Sequence, residues 1–139
     1  MLDKEMIDKG LPVLRKTQEI IKYFNPTWWY IENPATGKMK QFLTELNHYD
    51  VDYCMYSDWG WRKNTAFASD IPFTPQLCNK KCGSIIEHEG HFYHRECAKM
   101  GYSTNTPPGI QKTYHPKDLL HRIPPDLVKL ILSTAERMH

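Results

Sequence analysis

A run of four aromatic and branched residues, Trp28-Trp29-Tyr30-Ile31, lies between a helix-like segment and a Glu-Asn-Pro tripeptide, and this order constrains the fold more than any other stretch. Four such side chains in succession, with no polar residue alternating among them, suit a strand buried on both faces. Upstream, Leu11, Leu14, Ile20, Ile21 and Phe24 fall on one broad helical face. Pro12 suits a first helical turn, where its missing N–H costs nothing, and Asn25-Pro26 ends the pattern. The sequence therefore predicts a helix over 12–24 feeding a central strand. Glu32-Asn33-Pro34 then falls at the C-terminal end of that strand, where open α/β sheets place their ligands.

The rest of the chain carries weaker periodicities. Phe42, Leu43 and Leu46 share a face, which predicts a short helix over 39–46 after Gly37. Val51, Tyr53 and Met55 alternate with Asp52, Cys54 and Tyr56, and residues 65–68 form a second strand candidate beyond the loop holding Trp59, Gly60 and Trp61; the two strands are expected to pair antiparallel. From Asp70 to His115 no period is visible, so residues 70–115 read as a loop-rich insertion that something other than an apolar core must order. Pro124-Pro125 opens a last helix with Leu127, Val128, Leu130, Ile131 and Leu132.

That insertion holds Cys78-x3-Cys82 followed by His88, His91, His94 and Cys97. Two thiolates and a nearby His/Cys group can supply the four tetrahedral ligands of a structural zinc. Six candidates compete for four places. Cys78, Cys82 and Cys97 are the first choices, with His91 or His94 as the histidine and His88 less favoured. Cys54, by contrast, reads as a small hydrophobe buried in mid-strand. Four cysteines in a chain with no secretory leader pattern over Met1–Gly10 fit thiols or metal ligands better than disulfides.

At 139 residues one modest core is expected, either a single domain over 1–139 or part of a larger one. A hydrophobic fraction of 40% argues against disorder, and no apolar run approaches the roughly 20 residues that span a bilayer. The expected location is the cytoplasm or nucleus. A net charge of +2 leaves nucleic acid undecided, although basic residues gather at Arg62-Lys63 and Lys80-Lys81.

Glu32-Asn33-Pro34 at the end of an apolar strand resembles the Glu-Asn-Val/Pro motif of the cytosine-C5 DNA methyltransferases, particularly the compact members of phages and giant viruses. The likeness continues through the helix before it, Tyr53-Cys54-Met55-Tyr56, the pair Arg62-Lys63, the Thr-containing stretch 65–69 and a closing Arg-x-x-Pro segment at Arg122-Ile123-Pro124-Pro125. The resemblance implies an α/β fold made of the last strands of a Rossmann-like sheet, with the strand at Thr65 between those at Trp28 and Val51. It implies that the Cys/His-rich insertion occupies the target-recognition position. It also implies two catalytic positions: Glu32 contacting N3 and the exocyclic amine of a flipped cytosine, and Arg62, with Lys63 adjacent and the register open, supporting its O2.

Two family features are missing from this sequence. None of Cys54, Cys78, Cys82 or Cys97 follows a proline, as the family's nucleophile does, and no glycine-rich loop is present to hold S-adenosylmethionine. The expectation is therefore the C-terminal half of a methyltransferase, inactive alone. It would act on DNA only with an N-terminal half that supplies donor site and cysteine, with S-adenosylmethionine bound only in the complete assembly. An exposed strand edge could alternatively lead to a homodimer. The competing reading is a noncatalytic, zinc-stabilised nucleic-acid-binding or regulatory protein derived from a methyltransferase.

Overall fold

The computed structural model describes residues 4–96 and 117–138. A π turn at Met6–Gly10 leads into helix α1 (Leu11–Phe24), which carries its proline in the first turn. Asn25 ends α1 in a left-handed conformation, φ 43°, and its N–H closes onto the Ile21 carbonyl. Both ends thus fall where Pro12 and Asn25-Pro26 dictate.

Strand β1 is Ile31–Pro34, β2 is Asn47–Asp52 and β3 is Asn64–Ser69, in the order β1-β3-β2 with both pairings antiparallel. β3 does sit between the other two, and the 51 and 65 regions do pair antiparallel. Their boundaries differ from the sequence reading. β1 starts at Ile31, so Trp28–Tyr30 lie before the strand, and β1 is an edge with alternating half-buried and exposed residues. The strand buried on both faces is β3, in which Thr65 through Ser69 are all buried. Its small side chains, Ala66 and Ala68 on one face and Thr65 and Ser69 on the other, permit layers above and below.

Helix α3 (Pro125–Arg137) supplies one of those layers: Leu127 and Ile131 pack with Val51, Tyr53, Phe67 and Phe73. On the other face Leu14 of α1 meets Leu43 and Ala68, with Leu11, Ile31, Met39, Phe42 and Leu46 around them. Residues 39–46 do not form the expected helix; a 3-10 turn at Lys38–Gln41 gives way to irregular chain that still buries Leu43 completely. Burial, rather than a second helical turn, satisfies this apolar segment. α1 is only partly covered. Val13, Ile20, Tyr23 and Phe24 remain exposed along one stripe.

The insertion is not all loop. β4 (Ile85–His88) and β5 (His91–His94) form a two-stranded antiparallel hairpin. Its two-residue turn, Glu89-Gly90, has φ of 50° and 77°, the doubly positive geometry that matches the twist of paired strands. Before α3 stands a single helical turn, α2 (Lys117–Leu120). No described helix is long and apolar enough to cross a membrane. Mixed α/β with small antiparallel sheets is the architecture.

Candidate base pocket and Cys/His centre

Both candidate sites hang on the connection between β2 and β3. The sequence suggested that the strand runs on through Cys54 and Met55, but it stops at Asp52 and a 3-10 turn, Tyr53–Met55, follows. Asp52 accounts for the stop. It is fully buried, and a buried carboxylate must be paired. Its Oδ2 accepts the Cys78 N–H at 2.7 Å, while Oδ1 accepts the Asn64 side-chain amide and faces Arg62 Nε, each at 3.0 Å. One carboxylate therefore joins the end of β2, the start of β3 and the loop carrying Cys78.

On one side of the turn lies Tyr53, fully buried in the α3-facing core. Its hydroxyl donates to Glu32 Oε1 at 3.4 Å. Burial pushes the phenol pKa well up and the Glu32 carboxylate adds to this, while the Thr65 hydroxyl acts the other way; the phenol stays protonated and remains a donor. Lys63 lies over the Tyr53 ring, 5.3 Å from its centroid, and donates to the Leu120 carbonyl at 2.8 Å. Glu32 itself sits exposed on the edge strand, opposite Phe67. An exposed carboxylate with one buried donor behind it keeps acceptor capacity for a polar ligand. Arg62 faces Asp52, and it is Lys63 that lies beside Tyr53, the residue that meets Glu32.

On the other side of the turn is Cys54. Its sulfur, those of Cys78 and Cys82, and a ring nitrogen of His94 all lie within 4.8 Å of one another. Cys78 Sγ and His94 Nε2 are 3.4 Å apart. Cys54 and Cys78 are buried and Cys82 is partly so. Burial drives the Cys54 thiol far up, and contacts with the other two sulfurs reinforce it. Burial likewise raises Cys82, opposed by the Ser84 N–H. At Cys78 burial is overcome by hydrogen bonds from the Cys82 N–H, the neighbouring thiols and the Lys80 N–H, and its pKa falls. His94 is lowered, chiefly by burial and then by the Arg62 charge. This buried Cys3His group can hold a metal ion.

The structure brings three of the sequence candidates together, Cys78, Cys82 and His94. Cys97 lies outside the described residues. His91 is exposed on β5, near the group but not in it. Cys54, read from the sequence as a mid-strand hydrophobe, is instead in the turn and in the group, because the chain bends away from the strand at Asp52. Tyr53 and Asp52 went unassigned; an acidic residue inside an apolar alternation was the available signal for Asp52. Beside the group opens a cleft of about 590 Å³ whose lining includes Arg62, Asn79, Lys80, His91 and Tyr93.

Just after the hairpin, Arg95 and Glu96 tie it to backbone carbonyls of the loop 58–60. Glu96 N–H donates to the Gly60 carbonyl at 2.9 Å and an Arg95 Nη donates to the Asp58 carbonyl at 2.9 Å. Gly60 has φ 95°, and a Cβ there would lie 2.8 Å from Glu96 Cγ, so the position requires glycine on two counts. Across that loop Arg122 stacks over the Trp59 ring at 4.2 Å, fixing the segment that opens α3.

Comparison with known proteins finds that over nearly its whole length the chain is similar to a probable cytosine-C5 DNA methyltransferase, the family that its Glu-Asn-Pro motif resembles. The relative is the "Probable DNA (cytosine-5)-methyltransferase" of Frog virus 3 (isolate Goorha), 51% identical over 134 aligned residues in a match that covers 93% of this chain. The chain spans 59% of that protein's length. No family model matches the chain. No solved structure matches it either.

Proposed function

We propose that this chain supplies the base-side wall of a DNA (cytosine-5)-methyltransferase, as the C-terminal part of its catalytic domain. The observation that carries the reading is the Glu32–Tyr53 pair. Through one carboxyl oxygen Glu32 would accept from the exocyclic amine of a cytosine turned out of the duplex, and through the other it would share a proton with N3, drawing electrons from the ring as a thiolate attacks C6. Tyr53, donating to Oε1 from below, would set the rotation of the carboxyl group while leaving a lone pair on that oxygen and the whole of the other for the base. The polypeptide that carries the Pro-Cys nucleophile, joined to this chain or separate, would complete the site. S-adenosylmethionine supplies the methyl group in this family. No glycine-rich loop of this sequence fits it, so its binding would belong to that other part.

Two features of the fold favour such a complement. β1 pairs on one side only among the described residues, leaving an edge where the rest of a Rossmann-like sheet can add. The exposed stripe of Val13, Ile20, Tyr23 and Phe24 on α1 offers apolar surface for it. Zinc is the metal proposed for the Cys3His group, and DNA is the proposed substrate. A homodimer through the β1 edge is the alternative use of that surface.

The test mixes or fuses the chain with the part of the Frog virus 3 relative that it does not span and follows labelled methyl transfer to DNA. The assembly is expected to transfer, the chain alone to transfer nothing, and Glu32→Gln to slow the assembly by roughly 10²–10³-fold, the scale of losing one positioned electrostatic contact. Transfer by the 139-residue chain alone, or an unaffected Glu32→Gln assembly, would overturn the reading. The cleft lined by Arg62 and Lys80 favours a second reading, a noncatalytic nucleic-acid binder or regulator. That reading expects salt-sensitive DNA binding with no transfer in any assembly.

A further inference from the structure

We propose that a single zinc ion binds Cys54, Cys78, Cys82 and His94 as a closed structural centre, bolting the β4–β5 hairpin to the end of β2. The four donors come from three separate pieces of chain: the turn after β2, the loop 78–82 and the last residue of β5. Their convergence within 4.8 Å is not explained by apolar packing. A tetrahedral zinc with Zn–S of about 2.3 Å and Zn–N of about 2.0 Å sets sulfur–nitrogen separations of roughly 3.5 Å. The 3.4 Å between Cys78 Sγ and His94 Nε2 already matches. Three thiolates and an imidazole are soft or intermediate ligands, which select zinc over oxygen-seeking cations. With four protein ligands no position remains for water, so the ion would be structural and take no part in chemistry.

The surroundings are built for such a centre. Lys80 adopts φ 59°, a left-handed conformation that a side-chain-bearing residue rarely takes, and this bends the loop so that Cys78 and Cys82 face the same point. Asp52 clamps the Cys78 N–H from beneath at 2.7 Å. The hairpin has no buried residue in either strand, and two isolated strands are marginal in water, so an ion offsets the lack of an apolar core. Arg62 and Lys80 line the adjoining cleft and balance the net negative charge of three thiolates on a divalent ion. None of this depends on methyl transfer.

The chain has four cysteines, which gives a decisive variant. Cys97→Ser leaves Cys54, Cys78 and Cys82 as the remaining thiols. Chain purified without chelator is expected to carry one zinc by elemental analysis, with X-ray absorption showing three sulfurs and one nitrogen around it. Cys97→Ser is expected to keep the same count and coordination, and His94→Ala to lose the nitrogen neighbour or the ion. Cobalt put in place of zinc should show tetrahedral thiolate absorption. Absence of metal, a Cys97→Ser protein with only two sulfurs on zinc, or unchanged coordination in His94→Ala would each overturn the assignment.

Discussion

The three-stranded sheet and the β4–β5 hairpin are ordered by different physics. The sheet is covered on one face by Leu127 and Ile131 of α3 and on the other by Leu14 of α1 and by Leu43, so its order comes from apolar area removed from water. The hairpin has exposed and half-buried residues throughout and is held by a few backbone hydrogen bonds, a glycine that admits Glu96, and the Cys/His group. A short chain can thus carry one region that folds by burial and another that folds by tethering. Changes in each should register with different probes.

The largest expected effect falls on the sheet. Phe67→Ala removes a ring that is 3% exposed at the centre of the α3-facing core, and should cost about 3–5 kcal/mol in denaturant unfolding, with or without chelator. A loss that appeared only in metal-free protein would erase the distinction between the two regions. Gly60→Ala should be smaller and confined to the hairpin, about 1–3 kcal/mol, because the new Cβ meets Glu96 in a disfavoured backbone conformation. Hydrogen exchange should quicken at β4 and β5 amides and stay unchanged at β2 and β3. Equal quickening in both would mean that the hairpin and sheet open as one unit. Smallest of all is Lys40→Ala, which deletes the 2.7 Å ion pair with Asp50 on β2. Both side chains are about a third exposed, so the loss should stay below about 1 kcal/mol and shrink further in salt. A larger loss would show that the sheet also relies on tethers.

The same division explains what could be read in advance. α1 and α3 were legible because a helix announces itself locally, through apolar spacing and the prolines at its start. β3 was placed between its neighbours by resemblance, and the 51 and 65 regions were paired by alternation and turn residues. The assignment of full burial to 28–31 failed because an aromatic run satisfies a half-covered approach to an edge strand as readily as a central one. The hairpin was missed because Glu-Gly is a weaker turn signal than Asn-Gly or Asp-Gly, and His at three positions, 88, 91 and 94, blurs the alternation. Cys78 and Cys82 were visible as a spaced pair. Cys54 was not, since its membership depends on Asp52 bending the chain away from the strand, a consequence of long-range contacts with Asn64 and Cys78. Glu32 entered through its motif alone; its partner Tyr53 emerged only with the packing of β1 against β3.

Tyr53 and Cys54 occupy consecutive places in a three-residue 3-10 turn. Such a turn advances by about 120° per residue, so one added or deleted residue would swing one of the two side chains a third of a revolution out of aim. No slack exists between them. Point substitutions on either side can be sampled one at a time, but the spacing itself cannot drift, because a shift that suits the phenol misdirects the thiol. In a lineage of such chains this turn should therefore be the last place to accept a length change, whichever of the two neighbouring sites remains in use.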